Sequence, residues 1–544
     1  MILHPGTQNR PRAASIPALA TAVLLALGGC GGGGGGGGST PVAPGGGSGW
    51  VAGTFLPAGD FAARCVNPRS GTDPQTLRPY PDRAGTRLDQ NNWLRSWSND
   101  LYLWYAEIID RDPALYDTPS YFELLKTTAL TPSGRPKDNF HFSLPTDEWQ
   151  ALSQSGVSAG YGAHWAVLSG APPRDVRVAF TEPGSPAAGS AANLQRGARV
   201  LFVDGVDVVN DTTQAGVATI IAALYPSAAG ATHIFTVRDP HDGALREITL
   251  TSLQVTSTPV QNVTAIDSDS GVVGYMLFNE HIATAEPALI DAVNQLNAIG
   301  IDDLVVDVRY NGGGFLGIAS ELSYMIAGAA RTDGRTFERL RFNDKHPLRD
   351  PVTGQLLQPL PFADRTIGFS GPSGVPLPTL QLSRVFLLVG GETCSASESI
   401  VNALRGIGFP VVLVGDTTCG KPYGFYPADN CGTTYFSVQF NGENDQGFGE
   451  YADGFSPANS LDLIGVPVTG CAVADDFARP LGDPAEGRFA AALGYRATGS
   501  CPAPVAVARS NATALRSPAM LPAMDLQLAK PAWRQSRIVG ADGP

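Results

Sequence analysis

The sequence predicts a multidomain α/β protein with an N-terminal helical unit, a β-rich middle domain and an α/β core built on a buried sheet. Three observations support this fold class. The chain has 544 residues, which is more than one domain usually holds. Short strands and turns follow one another from residue 156, and continuous apolar strands alternate with helices from residue 272. Apolar strands of that kind are typical of a sheet covered on both faces.

The composition excludes two classes of protein. Hydrophobic residues make up 43% of the chain and charged residues 16%, so folded cores are expected and wholesale disorder is excluded. The formal net charge is −13, and no run of basic residues stands out in the sequence. Because phosphate contacts need clustered lysine and arginine, no nucleic-acid partner is predicted.

Residues 1–29 are predicted to be a signal peptide, because Arg10 and Arg12 precede a short apolar stretch and small residues. Cys30 follows Leu-Gly-Gly, which resembles a bacterial lipobox, whose cysteine is lipidated. The alternative is a plain signal peptide with an incidental cysteine. Residues 30–60 are rich in glycine and would form a flexible tether. We therefore expect an exported protein that contacts the membrane through a lipid anchor and faces the periplasm or surface of a bacterial cell envelope.

Residues 61–155 are predicted to form the N-terminal helical domain, and the stretch from Leu88 to Leu152 is expected to be mostly helical. Its aromatic residues could line a ligand cleft or pack the core of this unit, and core packing is favoured. They are Trp93, Trp97, Tyr102, Trp104 and Tyr105.

Residues 156–258 are predicted to form the β-rich domain. The strand Val176–Phe180, a Pro-Gly-Ser-Pro-Ala punctuation, a short helix and the strand-turn Gly197–Gly205 follow in that order. A helix Gln214–Leu224 and two more strands complete the pattern.

The pattern of residues 156–258 resembles a PDZ domain. That resemblance implies a carboxylate-binding loop at Gly160, Tyr161 and Gly162, where main-chain N–H groups capture the C-terminus of a peptide. Read without the resemblance, the two glycines are ordinary turn residues.

Residues 259–500 are predicted to form the α/β core, and residues 501–544, rich in alanine and proline, are expected to be disordered. The predicted core elements are the strands Val272–Phe278, Leu304–Val308, Val385–Val389 and Val411–Val414 and the helices Ala285–Ala298, Ile318–Ile326 and one that begins at Ser395.

Two loops at the carboxyl ends of predicted core strands carry groups that suit chemistry. The run Asn311–Gly314 opens a helix, so it is either a structural turn or a site for an anion or oxyanion. The second loop contains Ser395 at the start of a helix, where a serine is ordinarily a cap. Lys421 follows the next strand, so a strand–helix–strand unit would bring Ser395 and Lys421 together.

The three motifs Asp-Val-Arg-Tyr-Asn-Gly-Gly-Gly, Ser-Ala-Ser-Glu and Gly-Lys, in that order behind a PDZ-like domain, resemble the carboxy-terminal processing (tail-specific) serine protease family. The resemblance implies that residues 259–500 are a protease core, with Ser395 as nucleophile and Lys421 as its general base. It places the oxyanion hole on the main-chain N–H groups of Ala396 and of Gly313 or Gly314.

The implied activity is an endopeptidase that cleaves envelope or extracellular polypeptides, engaged through their C-terminal tails, by way of an acyl-enzyme. A lysine acts as a base only when neutral, and burial lowers the pKa of a lysine. No cofactor is predicted, because the mechanism needs none and the histidines are scattered singly without a metal-ligand spacing. The oligomeric state is not predicted.

The sequence departs from the family pattern at two positions. Phe425 stands where many members carry a glutamine that orients the lysine, and Gly406 stands where some carry an aspartate. Gln439 or Glu398 could replace the missing orienting group. The alternative function is therefore a catalytically weak family member that binds peptides or proteins as an envelope lipoprotein.

Six cysteines remain after Cys30, and an even number in an exported chain favours disulfides. If Ser395 and Lys421 meet, then Cys394 and Cys419 are brought into the same neighbourhood. We expect either a bridge between these two cysteines, with the other four pairing among themselves, or two buried thiols that fill space beside the site.

Overall fold

The computed structural model describes residues 50–74, 77–268 and 270–504, together with the backbone of residues 537–538. The predicted signal peptide, the predicted lipidation site at Cys30 and most of the predicted tether lie outside these residues. Among the described residues, no helix combines the length and apolar character that a membrane crossing requires.

The N-terminal region is less helical than the sequence predicts. Helix α1 starts at a capping box in which Thr86 and Asp89 exchange hydrogen bonds, and Trp93 and Trp97 of this helix stack and are buried. Between Tyr102 and Phe142 the chain is mostly turns, so the helical prediction is wrong there, because prolines interrupt it. The regular elements are β1 Arg64–Cys65, β2 Arg83–Ala84, α1 Arg87–Leu101, α2 Thr118–Glu123, β3 Phe142–Pro145 and α3 Thr146–Ser155.

The β-rich region contains an antiparallel sheet with the strand order β10-β9-β7-β6-β5, in which β8 pairs with β7. Helix α4 buries Val217 and Ile220 against this sheet. The predicted short helix before Gly197 is wrong, because the chain turns at Gly189 and Asn193 has a positive φ of 41°. The elements are β4 Val157–Gly160, β5 Ala163–Ser169, β6 Asp175–Thr181, β7 Arg199–Val203, β8 Val206–Asp207, α4 Gln214–Leu224, β9 Thr232–Arg238, β10 Leu245–Thr251 and β11 Leu253–Thr256.

The α/β core follows from residue 260. Its first half contains β12 Val260–Ser268, β13 Gly271–Phe278, α5 Ala285–Ile299, β14 Asp303–Asp307, β15 Gly314–Phe315, α6 Leu316–Ala327, α7 Ala329–Thr332, β16 Thr336–Arg341 and β17 Leu360–Pro361. Its second half contains β18 Val385–Val389, α8 Ala396–Gly406, β19 Val411–Gly415, β20 Tyr423–Gly424, β21 Ala428–Asn430, β22 Thr433–Phe436, β23 Phe440–Glu443, β24 Phe455–Pro457, β25 Val466–Val468, β26 Gly470–Ala472 and α9 Gly487–Thr498. The last described strand is β27 Arg537–Ile538.

The central sheet of the core has the strand order β12-β13-β14-β18-β19-β26 and is parallel except for the β12–β13 pair. Alternate side chains of β14 point to opposite faces. Leu304 and Val306 pack with helices α5, α6 and α8, whereas Val305 packs with α9 and with Ala166 and Phe180 of the β-rich region. The sheet is therefore buried on both faces, as its continuous apolar strands predict.

Because β14, β18 and β19 are parallel neighbours, the loops that follow them leave the sheet at the same edge. These loops are residues 308–313, 390–395 and 416–422, and we call them the glycine loop, the serine loop and the lysine loop. The sheet thus gathers the three motifs of the sequence at one edge.

Two disulfides join separate segments of the chain. Cys65 is bonded to Cys431, which ties the N-terminal region to the core, and Cys471 of β26 is bonded to Cys501. Beyond Cys501 the sequence predicts disorder, and this prediction is wrong at Arg537–Ile538, which pairs in parallel with Gly314–Phe315. The edge of β15 offers main-chain groups that composition alone does not reveal.

Candidate active site

Ser395 lies at the junction of the serine loop and helix α8 in a strained conformation. Its φ is +60°, which is unfavourable for a residue with a Cβ atom, and it is fully buried. Its Oγ has no hydrogen-bond partner among the described residues, so the side chain does not cap the helix. Backbone strain of this kind is stored where the surrounding structure holds it and is concentrated at functional sites.

The carboxylate of Glu398 connects the serine loop to the lysine loop. It accepts hydrogen bonds from the main-chain N–H groups of Ser395 at 3.0 Å, Gly420 at 2.9 Å and Lys421 at 2.8 Å. The Thr418 hydroxyl donates a further bond at 2.5 Å. Burial raises the pKa of Glu398, while these donors act in the opposite direction. One buried side chain therefore fixes the backbone on both sides of the site.

A disulfide between Cys394 and Cys419 joins the serine loop to the lysine loop covalently. The two Cα atoms are 5.1 Å apart, and the bond joins the residue before Ser395 to the second residue before Lys421. The Cys419 N–H also donates to the Thr393 carbonyl at 3.0 Å. Of the two alternatives that the sequence leaves open for these cysteines, the structure contains the bridge.

The side chain of Lys421 is fully buried among aromatic rings. Its Nζ lies 4.7 Å from the centre of the Phe140 ring and 4.4 Å from the centre of the Phe425 ring. The rings withhold water, which disfavours the ammonium, although their faces also attract a cation. Phe425 therefore supplies an apolar wall where many family members carry a glutamine.

The side chains of the two candidate orienting groups, Gln439 and Glu398, form hydrogen bonds with main-chain groups. The Gln439 amide accepts from the Tyr426 N–H at 3.1 Å and donates to the Tyr426 carbonyl at 3.3 Å. The Glu398 carboxylate accepts a hydrogen bond from the main-chain N–H of Lys421, as described above. Gly406 lies at the end of α8, where a Cβ atom would come within 2.8 Å of Asn444.

The glycine loop is held by Asn311, whose side chain is fully buried. The Gly313 N–H donates to Asn311 Oδ1 at 2.9 Å, so this N–H is already engaged and does not serve as an oxyanion donor in this conformation. The Asn311 carbonyl accepts from the Cys394 N–H and from the Ser397 hydroxyl, each at 3.1 Å. The loop is thereby fastened to the serine loop.

His281 lies beneath the glycine loop and is not singled out by the sequence, since it is one of several isolated histidines. Its Nδ1 donates to Asn311 Oδ1 at 3.0 Å, and burial lowers its pKa to about 3, so the ring is neutral. A Cβ atom on Gly314, whose φ is +136°, would come within 2.3 Å of the His281 carbonyl oxygen. Glycine is therefore required at position 314.

The remaining predicted oxyanion donors are Ala396 and Gly314. Ala396 is the first residue of α8, and the first N–H groups of a helix have no partner within it. Gly314 begins β15 directly after the glycine loop. These two main-chain N–H groups therefore follow directly after the serine loop and the glycine loop.

The base of the glycine loop is anchored by a buried ion-pair network. Arg309 binds Asp307 at 2.9 Å, Glu486 at 2.8 Å and Asp475 at 2.6 Å. Arg196 of the β-rich region also binds Asp475, at 2.6 Å. The network therefore links the glycine loop to α9 and to the β-rich region.

The predicted carboxylate-binding loop lies within the β-rich region. Gly160 ends β4, and the buried Tyr161 ring packs 5.7 Å from that of Phe235. Gly162 has a φ of +73°, and its carbonyl accepts from the Glu182 N–H at 2.7 Å. Peptide binding by this loop stays a prediction.

Comparison with known proteins places these loops in a family context. Residues 270–424, which contain the glycine, serine and lysine loops, match the family model described as Peptidase family S41. A carboxyl-terminal-processing protease from Picosynechococcus sp. is 29% identical over 282 residues, which cover 51% of this chain and 58% of that protein. The match thus spans little more than half of this relative.

Two solved structures are similar to this chain. A candidate S41 protease from Bacteroides fragilis has a TM-score of 0.54 at 22% identity, covering 77% of this chain and 98% of that chain. A photosystem II D1 C-terminal processing protease has a TM-score of 0.41 at 20% identity, covering 74% and 98% of the two chains. The first of these likenesses establishes a common architecture.

Proposed function

We propose that this chain, whose residues 270–424 match peptidase family S41, is a tail-specific serine endopeptidase that works through Ser395 and Lys421. The observation that carries the proposal is the Glu398 carboxylate, which binds the main-chain N–H groups of Ser395 and Lys421 at 3.0 Å and 2.8 Å. Residues that are 26 positions apart in sequence are thus held by one buried group. Catalysis requires that surrounding residues hold the reacting groups in a fixed geometry in this way.

In the proposed reaction, neutral Lys421 accepts the proton of Ser395 as Oγ attacks the carbonyl carbon of a peptide bond. The tetrahedral intermediate collapses, the C–N bond breaks, and the leaving amine takes the proton from Lys421. Water, deprotonated by Lys421, then attacks the ester and releases the acid, and Ser395 regains its proton. The Phe140 and Phe425 rings keep bulk water from the amine, which favours its neutral form.

We assign the oxyanion hole to the N–H groups of Ala396 and Gly314. The Gly313 N–H is left out because Asn311 Oδ1 already accepts its hydrogen bond. Loss of one donor of this kind typically lowers the rate by about 10²–10³-fold.

The substrates that we propose are polypeptides of the cell envelope, bound by their C-terminal tails at Gly160–Gly162 of the β-rich region, which we interpret as PDZ-like. We further propose that the chain is exported and lipid-anchored at Cys30. Replacing Cys30 by alanine should release the protein from the membrane fraction of the producing cells. Unchanged membrane association of the Cys30→Ala protein would contradict the anchor.

A catalytically weak protein that binds peptides is the second candidate. Two observations favour it: Phe425 occupies the position of the usual orienting glutamine, and Ser395 Oγ has no hydrogen-bond partner among the described residues. A lysine that does not reach Ser395 would leave the serine unreactive.

Labelling with a fluorophosphonate, which forms a covalent bond with activated serines, separates the two candidates. The wild-type protein should be labelled, Ser395→Ala should not, and Lys421→Met should be labelled far more slowly. The matched controls are Ser460→Ala and Lys126→Ala, which alter a serine and a lysine outside the site and should leave labelling unchanged. Wild-type protein that resists labelling would favour the binding protein.

A further inference from the structure

Strand β27 occupies an edge that continues directly from the glycine loop. Gly314 pairs with Arg537, and Phe315 pairs with Ile538, in parallel register. The opposite edge of β15 is taken by His281, which forms a bridge with Gly314 and accepts from the Phe315 N–H at 2.8 Å. Both edges of β15 are therefore occupied by the chain itself.

The same strand also lies close to the continuation of the lysine loop. β20 begins two residues after Lys421, and Cα atoms of β20 and β27 approach within 8 Å. Arg537–Ile538 thus pairs with the strand that contains Gly314, a candidate oxyanion donor, and lies close to the segment that follows the candidate base. A polypeptide that reaches the site along this edge would require the same space.

The edge of β15 is suited to bind an extended polypeptide. Main-chain groups on a strand edge bind an added strand through hydrogen bonds that do not depend on its sequence. In the structure Ser395 and Lys421 are both 0% exposed, so a substrate does not reach them in this arrangement. Access requires a rearrangement, and β27 is a segment at the right place to move.

We propose that the edge of β15 is the surface on which an extended substrate main chain pairs, and that residues 537–538 occupy it as a built-in competitor. This inference rests on the proposed endopeptidase function. Thirty-two residues connect Pro504 to Arg537, and the start of this connection is anchored by the Cys471–Cys501 disulfide. A ligand on the same chain acts at an effective concentration on the order of millimolar. An intrinsic dissociation constant of about 0.1 mM would then weaken substrate binding about tenfold.

The first test removes the main-chain donors of β27 in the full chain. Proline has no N–H group, so the double variant Arg537→Pro/Ile538→Pro should not pair with β15. With an unrelated fluorogenic peptide as substrate, we expect KM to fall about tenfold while kcat stays within about twofold. The matched control Arg537→Ala/Ile538→Ala keeps both N–H groups and should retain the wild-type KM.

Two kinetic outcomes would overturn the inference. An unchanged KM in the proline variant would show that the segment does not compete with substrate. An equal fall of KM in the alanine variant would show that main-chain pairing is not the cause.

The second test does not depend on activity. A fluorescent peptide with the sequence of residues 533–544 is titrated against Ser395→Ala protein with and without the two prolines, and anisotropy is measured. Binding should be about tenfold tighter when the prolines free the edge. Equal binding by both proteins would overturn the inference even if peptides are hydrolysed. A clear difference would support it even if no peptide is hydrolysed, so its failure and that of the proposed function are distinguishable.

The fate of the segment is a final check. Intact-mass measurement should show that the wild-type and Ser395→Ala proteins are both uncut between residues 530 and 544. A cut in this range that requires Ser395 would identify the segment as a substrate and would overturn its role as a competitor.

Discussion

The loops of the core site and the Gly160–Gly162 loop of the β-rich region are both predicted to bind polypeptides, yet they are held in different ways. In the core, a disulfide and four hydrogen bonds to Glu398 tie the serine loop to the lysine loop. In the β-rich region, the loop depends on the packing of Tyr161 and on main-chain bonds. The many restraints in the core can hold the strained φ of Ser395, whereas the other loop needs only the shape that glycine allows.

The largest effect is expected from the dyad itself. Ser395→Ala removes the nucleophile and Lys421→Met removes the base while keeping a similar volume between the two phenylalanine rings. Each change should lower kcat for peptide hydrolysis by about 10⁴-fold or more. The melting temperature should stay within a few degrees, as measured by calorimetry. Hydrolysis that survives either change at a rate near wild type would remove the assignment.

The next largest effect is expected from Glu398→Gln. The carboxylate of Glu398 accepts hydrogen bonds from the main-chain N–H groups of Ser395 and Lys421. The glutamine side chain would direct its own N–H groups at these donors, so the main chain of both residues should shift. A misplacement of about 1 Å can lower kcat about 100-fold. The matched control is Glu286→Gln, because Glu286 is also buried and accepts a main-chain bond, from Gly368 at 2.7 Å, away from the three loops. Equal loss of kcat in both variants would show that Glu398 acts only through stability.

The dependence of kcat/KM on pH should follow from a lysine base. Only the neutral amine accepts the serine proton, so activity should rise with pH and then level off. An optimum well below about pH 6 would contradict this mechanism.

Removal of the Cys394–Cys419 disulfide should have a moderate effect. The double serine variant loses a closure of 25 residues, which lowers the free energy of unfolding by about 3 kcal/mol in the chain-entropy model. Because the bridge also joins the serine and lysine loops, kcat should fall about tenfold. The Cys471–Cys501 bridge closes 30 residues outside these loops and is the matched control. Its removal should cost similar stability and leave kcat within about twofold.

Acid should weaken the core beneath the glycine loop. Burial holds the pKa of His281 at about 3, below the value of about 6.5 expected when the chain is unfolded. Between these two values the unfolded state binds the proton and the folded state does not, so stability falls as the pH is lowered from about 6.5. The contribution is about 1.4 kcal/mol per pH unit. His281→Asn should flatten this dependence in urea unfolding, and an unchanged slope would contradict it.

The sequence predicts the elements that position the site better than the bonds that complete it. The bounds of β18 and α4 match the predicted ranges Val385–Val389 and Gln214–Leu224, because an apolar run and an amphipathic period are local signals. The family resemblance is confirmed by the match over residues 270–424. The roles of Ser395 and Lys421 remain predictions of the motifs.

What the sequence does not predict depends on contacts between distant segments. The bond from the Gly313 N–H to Asn311, the place of His281 and the pairing of β27 each require the folded sheet edge. The N-terminal region shows the same limit, since its aromatic residues suggest helices but its prolines produce turns. Local periodicity carries no information about any of these.

The smallest effect on chemistry is expected in the β-rich region. Gly162 has a φ of +73°, and a Cβ atom there would come within 2.2 Å of Ser185 Cβ. Gly162→Ala should therefore reshape the loop and lower the free energy of unfolding by about 1–3 kcal/mol. If the loop binds a C-terminal carboxylate, the KM for a polypeptide with a free C-terminus should rise while kcat stays unchanged. The KM for a short peptide with an amidated C-terminus should stay unchanged as well. Gly189→Ala is the matched control, because Gly189 lies in the β-rich region outside this loop and the nearest atom to its Cβ would be 3.4 Å away. An equal change of KM for both substrates would show that the loop acts through stability alone and would leave the core loops as the site of substrate binding.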